Sequence, residues 1–184
     1  MSRDRGEGTQ RARATTRSEP GRPAFAVVPG AGQESVWDYP RPPVVVPDGR
    51  EVTVHAGSIE IARSRSALRV LETASPPTFY LPLTDVHRDY LEPASGRSFC
   101  EWKGEARYWS VVTDAVRCER AAWSYPEPPA PFASLQWHLA FYASSLDCRV
   151  DGVRVIPQPG WFYGGWITPE VLGPFKGEPG TEGW

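Results

Sequence analysis

Residues 100–108 combine the most reactive side chains in this sequence. The segment reads Cys-Glu-Trp-Lys-Gly-Glu-Ala-Arg-Tyr, so the thiol of Cys100, the carboxylate of Glu101 and the ammonium group of Lys103 lie close together along the chain. A free cysteine is only roughly a few per cent thiolate at pH 7, and a neighbouring cation increases that fraction. An ammonium group buried among aromatic rings loses its proton more readily and becomes a nucleophile or a base. We therefore predict Lys103, Cys100 and Glu101 as catalytic or ligand-binding groups.

Lysine is rare in this chain, and its two occurrences share one context. Of the 20 Lys and Arg residues only Lys103 and Lys176 are lysines, and each stands in an aromatic-Lys-Gly-Glu tetrapeptide. Arginine keeps the charge but is forked and does not lose its proton. The pattern predicts that exchanging Lys103 for arginine harms function more than folding, whereas Lys176, in a loop rich in Gly and Pro, serves stability. The alternative is that both lysine stems pack beneath neighbouring rings.

Two interpretations of residues 100–108 follow from strand geometry. In a regular strand, Lys103 would share a solvated face with Glu101, Glu105 and Arg107, because side chains alternate between the two faces. A bulge at Gly104 would instead place Lys103 on the same side as Ala106 and Tyr108, near Cys100. The first interpretation describes an ordinary charged surface and the second a site.

A second pair of candidate catalytic groups is Asp85 with His87. The two residues are separated by one position, so on a strand they would share a face and form an acid–base pair or half of a metal site. The alternative is ordinary surface polarity.

Aromatic residues are the candidates for the walls of a pocket. Eight tryptophans exceed what the core of a small domain needs, although aromatic residues are also the main contributors to core burial. The predicted ligand-binding residues are Tyr80, Trp102, Tyr108, Trp109, Trp123, Tyr125 and Trp166, with Trp161 as a further wall residue.

Composition excludes several classes of partner. The net charge of −2 argues against a nucleic-acid-binding surface. The sequence has no apolar run of about 18 residues and no apolar leader, which predicts a cytoplasmic protein without a membrane span. Its three cysteines are far apart, so we expect no disulfide framework, no metal ion and no cofactor.

The elements that must position these groups are mostly strands. Residues 1–22 are polar and are expected to be a disordered arm, followed by a single domain over residues 23–184 whose segment from residue 157 onward wraps back onto it. Alternation and turn residues predict strands, and periods of three and four predict two short helices. The predicted strands cover residues 44–46, 52–54, 59–61, 78–83, 99–103, 106–113 and 116–123, and the helices residues 67–71 and 132–142. Residues 149–155 are predicted as a hairpin, because Asp151-Gly152 is typical of a two-residue turn.

Several short motifs follow one another along the chain in a characteristic order. They are Glu34-Ser-Val-Trp-Asp-Tyr-Pro40, Tyr80-Leu-Pro-Leu-Thr-Asp85, Cys100-Glu-Trp-Lys-Gly, Ala122-Trp-Ser-Tyr-Pro126, Tyr163-Gly-Gly-Trp166 and Gly173-Pro-Phe-Lys-Gly177. Together they resemble the bacterial family known as Domain of Unknown Function 427. The resemblance implies a β-tent-like pair of antiparallel sheets with one or two short helices, and it brings no established activity. Other β-tent domains usually carry a four-cysteine zinc site, and those cysteines are missing here.

Together these observations predict a mostly β domain that binds a small organic ligand in an aromatic-walled pocket. Metal-independent catalysis in small-molecule metabolism, through Lys103, Cys100 and Glu101, is the accompanying hypothesis. The alternative is a protein-interaction module that recognises a chain end or a modified residue in an aromatic cage. A deep pocket favours the ligand-binding hypothesis and a shallow groove at a sheet edge favours the alternative. The sequence leaves the choice between monomer and homodimer open.

Overall fold

The computed structural model describes residues 22–160, 162–181 and 183–184. The expected disordered arm over residues 1–22 therefore lies, apart from Arg22, outside the described residues, as does Trp161. Fifteen strands and four short 3₁₀ helices occur in the described part. The strands are β1 Glu34–Ser35, β2 Val44–Asp48, β3 Val52–Ala56, β4 Ile59–Ser64, β5 Ala67–Glu72, β6 Ser75–Pro82, β7 Leu91–Cys100, β8 Gly104–Val112, β9 Arg117–Ser124, β10 His138–Phe141, β11 Asp147–Val150, β12 Val153–Arg154, β13 Ile156–Pro157, β14 Trp166–Ile167 and β15 Val171–Leu172. The helices are Val36–Asp38, Leu83–Asp85, Arg88–Tyr90 and Ala130–Leu135.

Two antiparallel sheets form the body of the fold. The larger sheet has seven strands in the order β2-β5-β6-β10-β9-β8-β7, and the smaller has four in the order β12-β11-β3-β4. Two strand pairs complete the structure, β13 with β14 in antiparallel and β1 with β15 in parallel orientation. The predicted mostly β architecture of antiparallel sheets with few helices is confirmed.

The larger sheet buries both of its faces, because its strands carry apolar residues at successive positions. On β6, Phe79 and Leu81 point to the main core, which also contains Val52 and Val54 of the smaller sheet. Tyr80, between them, points to a second cluster on the opposite face, together with Trp123 of β9. Alternation of side chains along a strand places these neighbours on opposite faces. The second face is the one that carries the aromatic rings of the candidate site.

Both predicted helices are wrong in detail. Residues 67–71 lie in strand β5, which pairs with β2 on one side and β6 on the other, so tertiary pairing overrides a pattern with the period of a helix. The segment 132–142 divides into the 3₁₀ helix Ala130–Leu135 and strand β10. Trp137, between them, has a φ of 67°, a left-handed conformation that ends the helical stretch.

The C-terminal segment contacts the beginning of the described chain. Strand β15 pairs with β1, and the Trp37 indole nitrogen donates a hydrogen bond to the carbonyl oxygen of Pro174 at 3.0 Å. The Trp184 ring stacks on Phe25, with 5.2 Å between ring centroids, and meets Trp37 edge-on at 4.8 Å. None of the helices in the described ranges has the length and apolar character needed to cross a membrane.

Candidate functional site

A row of residues across the larger sheet forms the floor of a pocket. In the strand register, Ala140 of β10 lies between Tyr80 of β6 and Trp123 of β9, and Trp123 lies opposite Tyr108 of β8. The centroids of the Tyr80 and Trp123 rings are 6.2 Å apart. Cross-strand neighbours of this kind contact each other directly. The small side chain of Ala140 lets the two larger rings meet edge-on.

A cover from the C-terminal segment lies over this floor and consists of Gln158, Phe162, Tyr163, Gly164 and Lys176. Gln158 organises the cover, because its side-chain oxygen accepts a hydrogen bond from the Gly165 amide at 3.1 Å and its side-chain nitrogen donates to the Lys176 carbonyl oxygen at 2.9 Å. At Gly164 a Cβ atom would stand 2.1 Å from Cη2 of Trp123. Glycine is therefore required where the cover meets the floor.

Between floor and cover lies a cavity of about 210 Å³. Its wall includes the predicted residues Tyr80, Tyr108, Trp123, Tyr125, Cys100 and Lys103. The structure thus brings half of the residues predicted for the site into one pocket.

Lys103 reaches the pocket from a tight hairpin. Cys100 at the end of β7 pairs with Gly104 at the start of β8, and Gly104 has a φ of 85°, which is the left-handed residue that closes a three-residue hairpin loop. The turn leaves Glu101 exposed and buries Lys103, whose exposure is 9%. The Lys103 Nζ atom lies 5.8 Å from the centroid of the Tyr125 ring. No hydrogen bond or ion pair joins this ammonium group to the residues that the structure describes.

Lys176 reaches the same pocket from the cover. Its Nζ atom lies 5.7 Å from the centroid of the Tyr163 ring. The following residue, Gly177, has a φ of 103°, and a Cβ there would stand 2.0 Å from the Pro159 carbonyl oxygen. From the sequence we expected Lys176 to serve stability, whereas in the structure it lies on the pocket wall.

The glutamates of the twin tetrapeptides do not neutralise their lysines. Glu105 pairs with Arg97 at 3.0 Å, and Glu178 accepts a hydrogen bond from the Phe175 amide at 3.1 Å. Glu72, a carboxylate on the pocket wall, accepts a hydrogen bond from Arg41 Nη1 at 3.4 Å. The carboxylates close to the pocket therefore have partners of their own.

Hydroxyl groups supply neutral polar contacts on the wall. Ser98 and Tyr108 share a hydrogen bond of 2.7 Å, and the guanidinium carbon of Arg120 lies 4.1 Å from the centroid of the Tyr108 ring. Desolvation by burial raises the pKa values of Tyr80, Tyr125 and Tyr142 well above the usual value for a phenol. These phenols are protonated at neutral pH and can donate hydrogen bonds.

Three predicted polar residues lie outside the pocket. Glu101 is exposed and accepts a hydrogen bond from Arg41 at 3.2 Å. Asp85 accepts a hydrogen bond from the hydroxyl of Ser64 at 2.6 Å, which ties it to the smaller sheet. His87 is exposed, with its ring centroid 6.4 Å from that of Tyr90. Asp85 and His87 occupy successive turns and not one strand, so the predicted acid–base pair does not form.

Three predicted aromatic residues also lie elsewhere. Trp166 stacks on Phe79 in the main core, with ring centroids 5.1 Å apart, and Trp109 packs against the same core. Trp102 packs against the second cluster beneath the Arg41 guanidinium, 5.8 Å from the ring centroid. Their burial is structural.

Sequence reasoning missed the part of the wall that the cover supplies. Gln158 lies in no motif, and Tyr163 belongs to a family motif that says nothing about a wall position, because both positions depend on how the chain returns to the sheet. The repeated tetrapeptide was the one sequence feature that set Lys176 beside Lys103. Among the described residues, no group of three or more His, Cys, Asp or Glu residues is arranged to hold a metal ion.

A family model described as a domain of unknown function (DUF427) matches residues 44–155. The matched range contains the strands β2 to β12 and the Lys103 hairpin. No curated protein shows significant similarity to the chain.

Proposed function

From the premise that the chain belongs to the DUF427 family, whose model matches more than half of it and whose description names no activity, we propose that the domain binds a small organic molecule in the pocket between the larger sheet and residues 158–176. The observation that carries the proposal is the Lys103 ammonium group, which is 9% exposed on the pocket wall and has no anionic partner among the described residues. Burying an unpaired charge is costly. A ligand that supplies the missing partner of Lys103 would offset this free-energy cost when it binds.

The size and lining of the pocket indicate the kind of ligand. Its volume of about 210 Å³ is below the range of roughly 300–1,000 Å³ that is typical for drug-sized ligands. Aromatic rings from the sheet, including Trp123 and Tyr125, would contact an apolar or planar body, while Lys103 and the hydroxyl groups would orient it. This combination of apolar walls and few polar groups is typical of small-molecule sites.

The pocket wall also carries groups that can react with a bound molecule. Cys100 and Lys103 both line it, and each side chain is a nucleophile in its deprotonated form. Neither needs a metal ion or a cofactor for that chemistry. Glu101 takes no part in this proposal, because its side chain is exposed and paired with Arg41. The accompanying hypothesis of metal-independent catalysis therefore rests on Cys100 and Lys103.

The position of the pocket favours a small molecule over a protein chain end. Recognition of an extended chain adds a strand at a sheet edge or uses a groove there. This pocket lies over the interior strands β6, β8 and β9 and reaches the edge strand β7 only through its last residues, Ser98 to Cys100. Residues from the C-terminal segment, including Gln158 and Tyr163, cover it.

The test compares a pocket-filling variant with a matched surface variant. Ala106 lines the pocket and is 1% exposed, so Ala106→Leu would occupy ligand space, whereas Ala133→Leu changes an exposed residue of a 3₁₀ helix. A library of single-ring fragments is screened against the three proteins by ligand-observed NMR. We expect compounds that bind the unmodified protein and Ala133→Leu but not Ala106→Leu. Binding that is equal in all three folded proteins, or absent from the unmodified protein, would contradict the proposal.

A further inference from the structure

The two lysines of the chain, far apart in the sequence, line one pocket. Lys103 comes from the β7–β8 hairpin and Lys176 from the cover, so the ligand space lies between two separately positioned cations. We propose that the ligand is an organic anion whose carboxylate or phosphate group is held by both ammonium groups. This inference rests on the proposed function and names its ligand class.

The pairing of charges elsewhere in the described chain sets the two lysines apart. Ten different arginines form ion pairs with carboxylates. Neither lysine forms an ion pair with any carboxylate in the described ranges. Glu72, which could have neutralised the pocket, pairs with Arg41. The two lysines thus have no ion-pair partner within the described ranges, and the one carboxylate on the pocket wall is paired with an arginine.

Contacts with rings stabilise the two ammonium groups only in part. Lys103 and Lys176 lie within 6 Å of the Tyr125 and Tyr163 centroids, an arrangement in which the ring attracts the cation without neutralising its charge. A hydrogen bond to an ionised partner is stronger than a neutral one. An anion between the two lysines would supply such partners to both at once.

The remaining polar groups are compatible with an anion. The phenols of Tyr80 and Tyr125 are neutral donors at physiological pH because burial disfavours their ionised forms. The hydroxyl of Ser98 is a further donor on the wall. An anion would therefore meet donors and cations on several sides.

The volume limits the rest of the ligand. The space of about 210 Å³ equals the liquid volume of about seven water molecules, enough for one ring with a single charged substituent. The rings of Trp123 and Tyr142, whose centroids are 4.4 Å apart, offer this body an aromatic surface. The ligand class is thus a monocyclic carboxylate or phosphate monoester.

Matched probes separate the contribution of charge from that of shape. Binding of benzoate, phenyl phosphate, neutral benzamide and cationic benzamidine is measured by isothermal titration calorimetry. We expect at least one anion to bind about tenfold or more tightly than benzamide, because hydrogen bonds to charged groups contribute about 1.5–3 kcal/mol, and benzamidine not to bind. The better of benzoate and phenyl phosphate identifies the anionic group.

Two variants remove the cations one at a time. Lys103→Met and Lys176→Met keep most of the side-chain stem and are each expected to reduce affinity for the better anion to that for benzamide. Arg107→Met, which removes an exposed cation from β8, is the control and should bind the anion normally. Circular dichroism confirms that each variant is folded.

The scarcity of lysine allows a direct observation of both groups. Reductive methylation with ¹³C-formaldehyde labels the two lysines and the chain's amino terminus, and the two Met variants assign the lysine signals. The better anion should shift both lysine signals. A shift of only one, or benzamide binding as tightly as the anions, overturns the two-lysine site while leaving a pocket for organic molecules. Failure of both anions to bind overturns this inference, and the fragment screen with Ala106→Leu decides the proposed function separately.

Discussion

Gly164 lies against the face of Trp123 so closely that a Cβ atom at position 164 would stand 2.1 Å from Cη2 of the indole and 2.8 Å from Cζ3. This contact joins the cover of the pocket to its floor. The indole is held by the sheet and is 6% exposed, so the cover has to move if a side chain is added.

The first prediction follows from that contact. Gly164→Ala should lower the free energy of unfolding by about 1–3 kcal/mol, the usual cost of overpacking. It should also weaken binding of the better of the two anionic probes, benzoate or phenyl phosphate, because it displaces the cover. Urea unfolding and calorimetry measure the two effects. Gly49→Ala is the control, because a Cβ there would meet no atom within 4 Å. A Gly164→Ala protein with unchanged stability and affinity would show that the cover does not close on Trp123.

The second prediction concerns the chemical identity of residue 103. Lys103→Arg places a larger, forked cation in a buried position, so it should reduce benzoate affinity by about tenfold or more and lower the melting temperature. Lys103→Met should keep or raise the melting temperature, because it removes an unpaired buried charge. Lys176→Arg changes a half-buried residue and should cost less affinity. Full affinity in Lys103→Arg would show that position 103 requires only a cation, and full affinity in Lys103→Met would make Lys103 a packing residue.

The third prediction is a response to alkaline pH. Burial is the main cause of the raised pKa values of Tyr39, Tyr80, Tyr125 and Tyr142. A phenol in the unfolded chain ionises near pH 10, at about its reference pKa. Because the folded-state pKa values are higher, their contribution to stability is complete below about pH 10 and is lost as the pH rises above it.

Ultraviolet titration of phenolate absorbance checks this prediction. Four of the seven tyrosines should stay protonated in the folded protein and ionise only together with loss of the near-ultraviolet circular dichroism signal. Early ionisation of all seven in folded protein would mean that the aromatic floor is open to water.

The fourth prediction concerns the aromatic contact between the two ends of the described chain. Trp184→Ala removes a ring that contacts both Phe25 and Trp37 and should cost on the order of 2–3 kcal/mol. Deleting residues 173–184 should cost more, since it also removes Phe175 and Lys176. Trp137→Ala, at a ring that is 71% exposed, is the matched control. Thermal unfolding of the three proteins gives the comparison, and an unchanged melting temperature after the deletion would contradict it.

The sequence was sufficient for the class of fold because strand signals are local. The alternation of Val52 and Val54 and the Asp151-Gly152 turn each predicted an element that the structure contains. Residues 67–71 show the limit of such reasoning. Their apolar positions have the spacing of a helix face, and the strand forms because of pairing with β2 and β6, which no local pattern encodes.

The candidate site was predictable where its residues share a hairpin and not where the chain returns from a distance. Cys100 and Lys103 lie beside each other because of a turn that Gly104 closes. Gln158 and Tyr163 become wall residues only when the cover docks on the sheet. Conversely, we predicted Trp166 as a wall residue from the sequence, whereas it packs in the main core on the opposite face of the larger sheet.

The division of the pocket between sheet and cover has a consequence for how the protein is made. Translation completes every strand of the larger sheet before residues 158–176 leave the ribosome, and domains fold from the parts already synthesised. A nascent chain thus presents Tyr80, Trp123 and Lys103 without Lys176, and the parallel pairing of Glu34 with Val171 closes a long loop late. A polypeptide that ends before Lys176 would lack one of the two cations of the proposed site, so the proposed ligand would stabilise only chains that contain both lysines.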